Sequence, residues 1–349
     1  MLLNFSLKNV LSYKDEFDLN AKIIPEIIKK LGGKQRLINN LSVLEENDNF
    51  AAKNILLMDK IATGKTNILK ALCLLKSLIL KPTRSDLEEL NYQPFSSKDV
   101  FKEKPTEFEI TFCELDQVYR YSLKYLPSKV IYEKLEFEED KFFKTYFERN
   151  EQNFDVPENM QLYVENVRKN SLLLFFAQSM NDKLAKNVYK WFDQNLIFAS
   201  DNLIETNKIL ELLKDETNRK LFIEFFKTVD IQIEDILLEE RFDQVWLPSV
   251  GDSYFSQTKT TIKSYYFDLI YEDKQIPISN ESKNIQKLAN IFLAILLNKK
   301  ENKLILIDDF NLFEDSLTLK LAKLFATNEF IKSNQFVLVT NRKLNLDQF

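Results

Sequence analysis

Residues 59–66 read DKIATGKT, and the reading of this stretch decides the fold class. The pattern that cradles nucleotide phosphates is G-x-x-x-x-G-K-[ST]. The run meets every fixed position except the first, where Asp59 stands for glycine. Residues 54–58, NILLM, form an apolar run of the length of a buried strand, and residues 67–80, NILKALCLLKSLIL, are a strong helix former. A strand, a tight loop and a helix in that order aim backbone N–H groups and a helix N-terminus at an anion. Asp59, Lys60, Ile61, Ala62, Thr63, Gly64, Lys65, Thr66 and Asn67 are therefore the candidate ATP-binding residues. Lys65 is expected to reach the β/γ-phosphates and the Thr66 hydroxyl to ligate Mg²⁺. The bland alternative is a strand–turn–helix corner that happens to carry Gly-Lys-Thr.

Glycine scarcity sharpens the reading. The chain of 349 residues has 4 glycines, against roughly 24 at the usual frequency of about 7%. Glycine lets backbone approach a phosphate or take positive φ, so few places here can build such a loop, and Gly64 is one of them.

A second motif lies far downstream. Residues 304–309, LILIDD, are an apolar strand ending in two acids, the Walker-B form. Asp308 is expected to hold Mg²⁺ opposite Thr66, and Asp309 stands where a carboxylate orients the attacking water. A strand that meets an acidic turn is common in isolation; the two motifs in this order, some 240 residues apart, are not.

Elsewhere the periodicity switches. Leu3, Phe5 and Leu7 alternate with polar residues, which predicts an opening strand. Residues 21–45 read as helical and then irregular, with Gly32-Gly33 as a helix stop. A β-meander follows: Phe108, Ile110 and Phe112 alternate, then Tyr119 to Tyr125, then Ile131, Glu133, Leu135 and Phe137, with turn residues at 127–128 and 138–140. Residues 158–228 have helical period, strand character returns at 261–271, and a helix is expected over 282–297. Residues 303–307 and 335–340 read as buried strands. The expected organisation is an N-terminal half of a nucleotide-binding head (1–80), a β-meander (81–150), an inserted helical lobe (151–259) and the C-terminal half of the head (260–349). The halves are expected to share one sheet, with the strands ending at Met58 and Ile307 as neighbours.

Composition sets limits. Hydrophobic residues make up 45% and charged residues 29%, the balance of a globular chain. The net charge is -5, with both signs mixed along the chain. This excludes a bulk nucleic-acid footprint while leaving room for a local basic groove. No histidine is present, which excludes Ser-His-Asp and Cys-His catalysis. With Cys73 and Cys113 the only cysteines, zinc is not expected. Both lie in apolar stretches and read as reduced thiols, so the expected compartment is the cytoplasm, with no signal peptide and no membrane span. The 29 Phe and 13 Tyr fall mostly on periodic faces and read as core.

The sequence resembles the ABC-type AAA ATPases related to SMC and OLD proteins, particularly the bacterial abortive-infection group. Residues 2–16, LLNFSLKNVLSYKDE, are similar to the family's opening strand, and TEFEITF, YRYSLKY and IYEKLEF to its meander. Residues 279–283, SNESK, resemble the signature S-x-G-T-K, and residues 336–346, FVLVTNRKLNL, the last strand before a T-H-[DN] switch. The fold so implied is α/β: a P-loop NTPase with an ABC-type head, a β-meander and an inserted helical lobe. The resemblance further implies a homodimer in which two heads sandwich ATP and Mg²⁺, with Ser279 of one head facing the γ-phosphate held by the other. It also implies a separate effector, a nuclease or toxin, in bacterial defence or DNA maintenance.

Several positions depart from the pattern. Asp59 replaces a loop glycine, Asp309 the usual glutamate, Glu281 the signature glycine, and Asn341 the switch histidine. A carboxylate at 281 facing the γ-phosphate at about 5 Å costs roughly 3 kcal/mol per charge pair at an effective dielectric of about 20. Asn341 can hydrogen-bond a phosphate but cannot share a proton. ATP binding with weakened hydrolysis is the first functional expectation, and a catalytically inactive scaffold that binds a partner is the second.

Overall fold

The computed structural model describes residues 1–23, 43–46, 49–58, 64–95, 101–199, 207–248, 257–298, 302–310, 315–327, 331 and 333–340. The chain divides into two compact units: Met1–Phe198 with Lys300–Asn311 and Ala322–Phe349, and Ala199–Lys299 with Leu312–Leu321. The strands in chain order are β1 (Leu2–Lys8), β2 (Phe17–Asn20), β3 (Val43–Glu46), β4 (Asn49–Ala52), β5 (Asn54–Met58), β6 (Thr106–Glu114), β7 (Gln117–Leu126) and β8 (Lys129–Glu139). They continue with β9 (Phe142–Asn150), β10 (Asn153–Asp155), β11 (Leu196–Phe198), β12 (Asp235–Pro248), β13 (Gln257–Ile270), β14 (Gln275–Pro277), β15 (Leu304–Ile307) and β16 (Gln335–Thr340).

In the first unit, β10-β9-β8-β7-β6-β1-β2 form an antiparallel sheet. Its hairpins at Leu115-Asp116 and Asp140-Lys141 have both loop residues at positive φ, the turn type whose twist matches paired strands. The period-2 expectation holds for β1, β6, β7 and β8: Phe5, Phe108, Ile110, Tyr121, Leu123 and Leu135 point into the core. The helix Lys65–Leu80 buries Ile68, Leu69, Leu72, Leu75 and Ile79 among them and shares one apolar cluster with β1, β6–β8, β15 and β16.

That alternation also carries Glu133 onto the buried face, where it is fully enclosed with Arg149. Glu133 accepts hydrogen bonds from the N–H groups of Leu173 and Leu174 at 2.7 and 2.8 Å and from Tyr121 Oη at 2.9 Å. Burial raises its carboxyl, against the opposing charge of Arg149 at 3.7 Å. The carboxylate closes the N-terminal end of the helix Leu173–Ser179, whose first N–H groups lack helical partners. It is a fastening of the core.

The second sheet of this unit is parallel, in the order β11-β15-β16-β5. The N- and C-terminal segments therefore share a sheet, as expected, but the strands ending at Met58 and Ile307 are not neighbours: β16 lies between them. The burial pattern supplies the reason. All six residues of β16 are buried, as the centre of a parallel sheet requires, whereas β5 is only half-buried at Asn54, Leu56 and Leu57 and takes the edge. Gln335, at the start of β16, also ties in the first strand: Leu2 N donates to its Oε1 at 2.7 Å, and its Nε2 donates to the carbonyls of Leu2 and Ala52 at 3.0 Å each.

The second unit holds the β12–β13 hairpin, paired from Asp235↔Ile270 to Pro248↔Gln257, with β14 beside β13. The helices Asn207–Lys214, Glu216–Thr228 and Lys283–Leu297 belong to it. Phe222, Phe226, Phe267 and Phe292 form its aromatic centre, with Phe225 stacked on Phe292 at 4.3 Å. The expected lobe at 151–259 is drawn differently here. Residues 151–198 stay with the first unit because the helices Leu173–Ser179 and Lys183–Lys190 put Leu174, Ala177 and Val188 into its core. Residues 235–248 are a strand. The stretch 21–45, expected to be helical and then irregular, falls mostly outside the described residues; Val43–Glu46 is a strand. Cys73 and Cys113 are both free thiols, Cys113 buried and Cys73 half-buried. No described helix is long and apolar enough to cross a membrane.

Candidate functional site

Parallel packing brings the C-terminal ends of β5, β15 and β16 to one edge of the sheet, the edge where open α/β sheets bind ligands. Gly64 opens the helix that follows β5 as its N-cap, at φ 88 and ψ 10. Only glycine takes this left-handed state without cost, and a Cβ there would sit 2.3 Å from Ser12 Oγ and 3.3 Å from Ser12 Cβ, so that the serine hydroxyl would have to turn aside. Lys65, Thr66 and Asn67 follow in the first turn, all half-buried. The helix has no acidic residue in that turn, so nothing within it opposes an anion at its positive end.

Across the sheet edge, Thr66 Oγ1 donates to Asp308 Oδ1 at 2.9 Å, joining residues 242 positions apart. Asp308 is half-buried, and its Oδ1 also accepts from the Asp309 N–H at 2.9 Å. Asp309 is exposed and takes φ 48, a state an aspartate tolerates better than most residues. The Thr66 hydroxyl and the Asp308 carboxylate are hard oxygen donors on two rigid elements. That donor set suits Mg²⁺, which is held by one or two protein oxygens together with phosphate and water.

Asp59, Lys60, Ile61, Ala62, Thr63 and Asn341 lie outside the described residues. Ser279 belongs to the second unit, exposed on the 3₁₀ turn Ile278–Asn280 ahead of the helix Lys283–Leu297. Its carbonyl accepts from Gln286 Nε2 at 3.1 Å, as does that of Glu281 at 2.8 Å. Glu281 is already engaged within this unit: Tyr271 Oη donates to its carboxylate at 2.7 Å. Burial, and then that bond, hold the Tyr271 hydroxyl well above the ordinary phenol range.

Sequence reasoning missed one member of the site. Tyr13, in the turn after β1, donates its hydroxyl to the Gly64 carbonyl at 3.2 Å. Tyr13 lies within the stretch 2–16 that resembles the family's opening strand, and nothing in that pattern points to the phosphate loop.

No family model matches the chain, and no curated protein does. Among solved structures it is similar to an SMC head bound to the C-winged helix domain of ScpA, with 13% identity, 99% of this chain and 91% of that chain covered, and a TM-score of 0.46. The SMC head domain from Thermotoga maritima gives 11% identity, the same coverage and 0.41. An SMC head with an extended coiled coil, bound to the C-terminal domain of ScpA derived from Pyrococcus furiosus, gives 12%, the same coverage and 0.41. With TM-scores under 0.5, the reading of this chain rests on its own sheet order and on the Thr66–Asp308 pair.

Proposed function

We propose that this chain binds Mg-ATP through residues 59–67 and Asp308 and works as an ABC-type ATPase head. The observation that carries the reading is the hydrogen bond of 2.9 Å between Thr66 and Asp308, the two oxygen ligands that the motifs assign to one magnesium ion. Lys65 neutralises β/γ-phosphate charge, and the helix N-terminus adds N–H donors. Magnesium, when bound, would withdraw charge from the transferring phosphoryl group. Asp309 would orient the attacking water, with Asn341 as a further γ-phosphate contact. In this reading two heads close on nucleotide, Ser279 of one meeting the γ-phosphate held by the other, and signal to a separate effector such as a nuclease or toxin in bacterial defence or DNA maintenance.

A second reading, a scaffold that binds nucleotide weakly or not at all, is favoured by Glu281. Its carboxylate occupies the signature position and is fastened to Tyr271 rather than replaced by glycine. Equilibrium binding of labelled ATP, with and without Mg²⁺, separates the two. The first reading requires Mg-dependent binding below millimolar nucleotide that Lys65→Ala abolishes, because the loop then loses its cation near the phosphates. No binding by the wild type leaves the scaffold.

A further inference from the structure

We propose that Tyr13 is a positioning residue of the phosphate loop, its hydroxyl fixing the Gly64–Lys65 peptide so that the Lys65 N–H faces the nucleotide. The inference rests on the nucleotide-binding reading above and adds to it a residue outside the loop. Tyr13 Oη donates to the Gly64 carbonyl at 3.2 Å, and the same oxygen accepts from Asn67 N at 2.8 Å. In a trans peptide the C=O and the N–H lie in one plane and point opposite ways. Two donors on the Gly64 carbonyl therefore decide where the Lys65 N–H points. That N–H is one of the four at the helix start that no helical carbonyl accepts. Gly64 cannot hold the plane by itself, since glycine moves through φ space almost without preference.

Tyr13 is in turn held firmly. Val10 N donates to the Tyr13 carbonyl at 2.9 Å and Tyr13 N to the Val10 carbonyl at 2.8 Å, closing the turn on itself, while Leu11 N donates to the Gln93 carbonyl at 2.8 Å. Asn9 and Leu11 take φ 49 and 52, a state that asparagine tolerates and leucine resists. The buried Asn9 amide pins the turn, donating to the carbonyls of Lys104 at 2.7 Å and Phe101 at 3.0 Å and accepting from Phe95 N at 3.2 Å. The Tyr13 ring packs on Phe17 with centroids 5.0 Å apart. Such a backbone persists only where its surroundings over-determine it, and what this one delivers is a phenol hydroxyl on the loop glycine.

Tyr13→Phe keeps the ring on Phe17 and removes the hydroxyl that donates to the Gly64 carbonyl. In the full chain, the dissociation constants of Mg-ATP and Mg-ADP should both rise about fivefold, the equivalent of one neutral hydrogen bond. The carbonyl ¹³C resonance of Gly64 should shift upfield, and the thermal midpoint should fall by no more than the loss of one neutral hydrogen bond allows. A variant that binds both nucleotides like the wild type, or that loses thermal stability without losing affinity, overturns the proposal. Lys65→Ala keeps the two failures apart. If the wild type binds, Lys65→Ala does not and Tyr13→Phe matches the wild type, only the role of Tyr13 falls. If the wild type itself binds no nucleotide, the nucleotide-binding reading falls and takes this role with it.

Discussion

Gly64→Ala is the sharpest probe of the phosphate-loop geometry, because two independent costs meet at one atom. The first is conformational: an alanine held at φ 88 costs about 1–2 kcal/mol relative to its preferred states. The second is steric, since the new methyl would stand 2.3 Å from Ser12 Oγ, and forced overpacking costs about 1–3 kcal/mol. Ser12 is exposed and can turn its hydroxyl aside, so the total belongs in the lower half of the range, about 2–3 kcal/mol. Ser12→Ala separates the two costs, because it removes the oxygen and leaves the contacts at 3.3 Å with the Cβ of residue 12 and at 3.6 Å with Tyr13 Cε2. A double-mutant cycle should then return a coupling of about 1 kcal/mol, with Gly64→Ala milder in the Ser12→Ala background. Urea unfolding read by Trp191 fluorescence in a Trp246→Phe background measures this. Trp191 is fully buried in the same unit and stacked on Phe112 at 4.1 Å. A Gly64→Ala protein within about 0.5 kcal/mol of the wild type, the range of an ordinary surface change, or a cycle that closes without coupling, refutes the reasoning.

Two further outcomes are expected. Burial pushes the Glu136 carboxyl up, but its bonds to Arg120 at 2.6 Å and Lys134 at 3.0 Å outweigh this and leave it below the ordinary carboxylate value. A carboxyl depressed on folding contributes stability that is present above its unfolded pKa and lost as pH falls through its folded one. Glu136→Gln should therefore flatten the acid limb of the stability curve between about pH 5 and pH 3, as read by urea midpoints; an unchanged limb would sink the assignment. Glu281→Gly should raise ATP-dependent dimerisation and phosphate release, and Asp309→Glu with Asn341→His should raise release further. All gains should vanish with Lys65→Ala. Steady-state phosphate release that never rises across this series means the heads do not form an ATP sandwich.

The sequence was readable where local pattern and tertiary role coincide. Alternation marked β1 and β6–β8, and unbroken apolar runs marked β15 and β16. Gly-Lys-Thr lies at a helix start and the paired acids at a strand end, and the two motifs in that order bring Thr66 and Asp308 into consideration together. β9 falls inside the meander expected at 81–150 but has no clear register in the sequence, because the adjacent Phe142 and Phe143 blur the alternation. The order of the parallel strands was not readable, since it depends on how much of each strand the finished sheet covers, and NILLM of β5 and LILI of β15 both read as short buried runs. Glu133 carries a signal of its own. A carboxylate in the register of Ile131, Leu135 and Phe137 had either to break the pattern or to be buried with donors, and it was buried with Arg149, Tyr121 and a helix start. Tyr13 meets Gly64 through a contact 51 residues apart, which no local pattern encodes.

The place of β16 bears on how the protein is made. Among the described residues β5 pairs within its sheet with β16 alone, and the ribosome delivers that partner some 280 residues later. Throughout that interval the strand feeding the phosphate loop has an open edge, while the meander of β6–β9, built from neighbouring hairpins, can already close. Gln335 fastens Leu2 and Ala52 at the same late moment. Nucleotide competence should thus arrive abruptly, with the emergence of residues 335–340, and nascent chains halted before them should lack it however well the meander has folded.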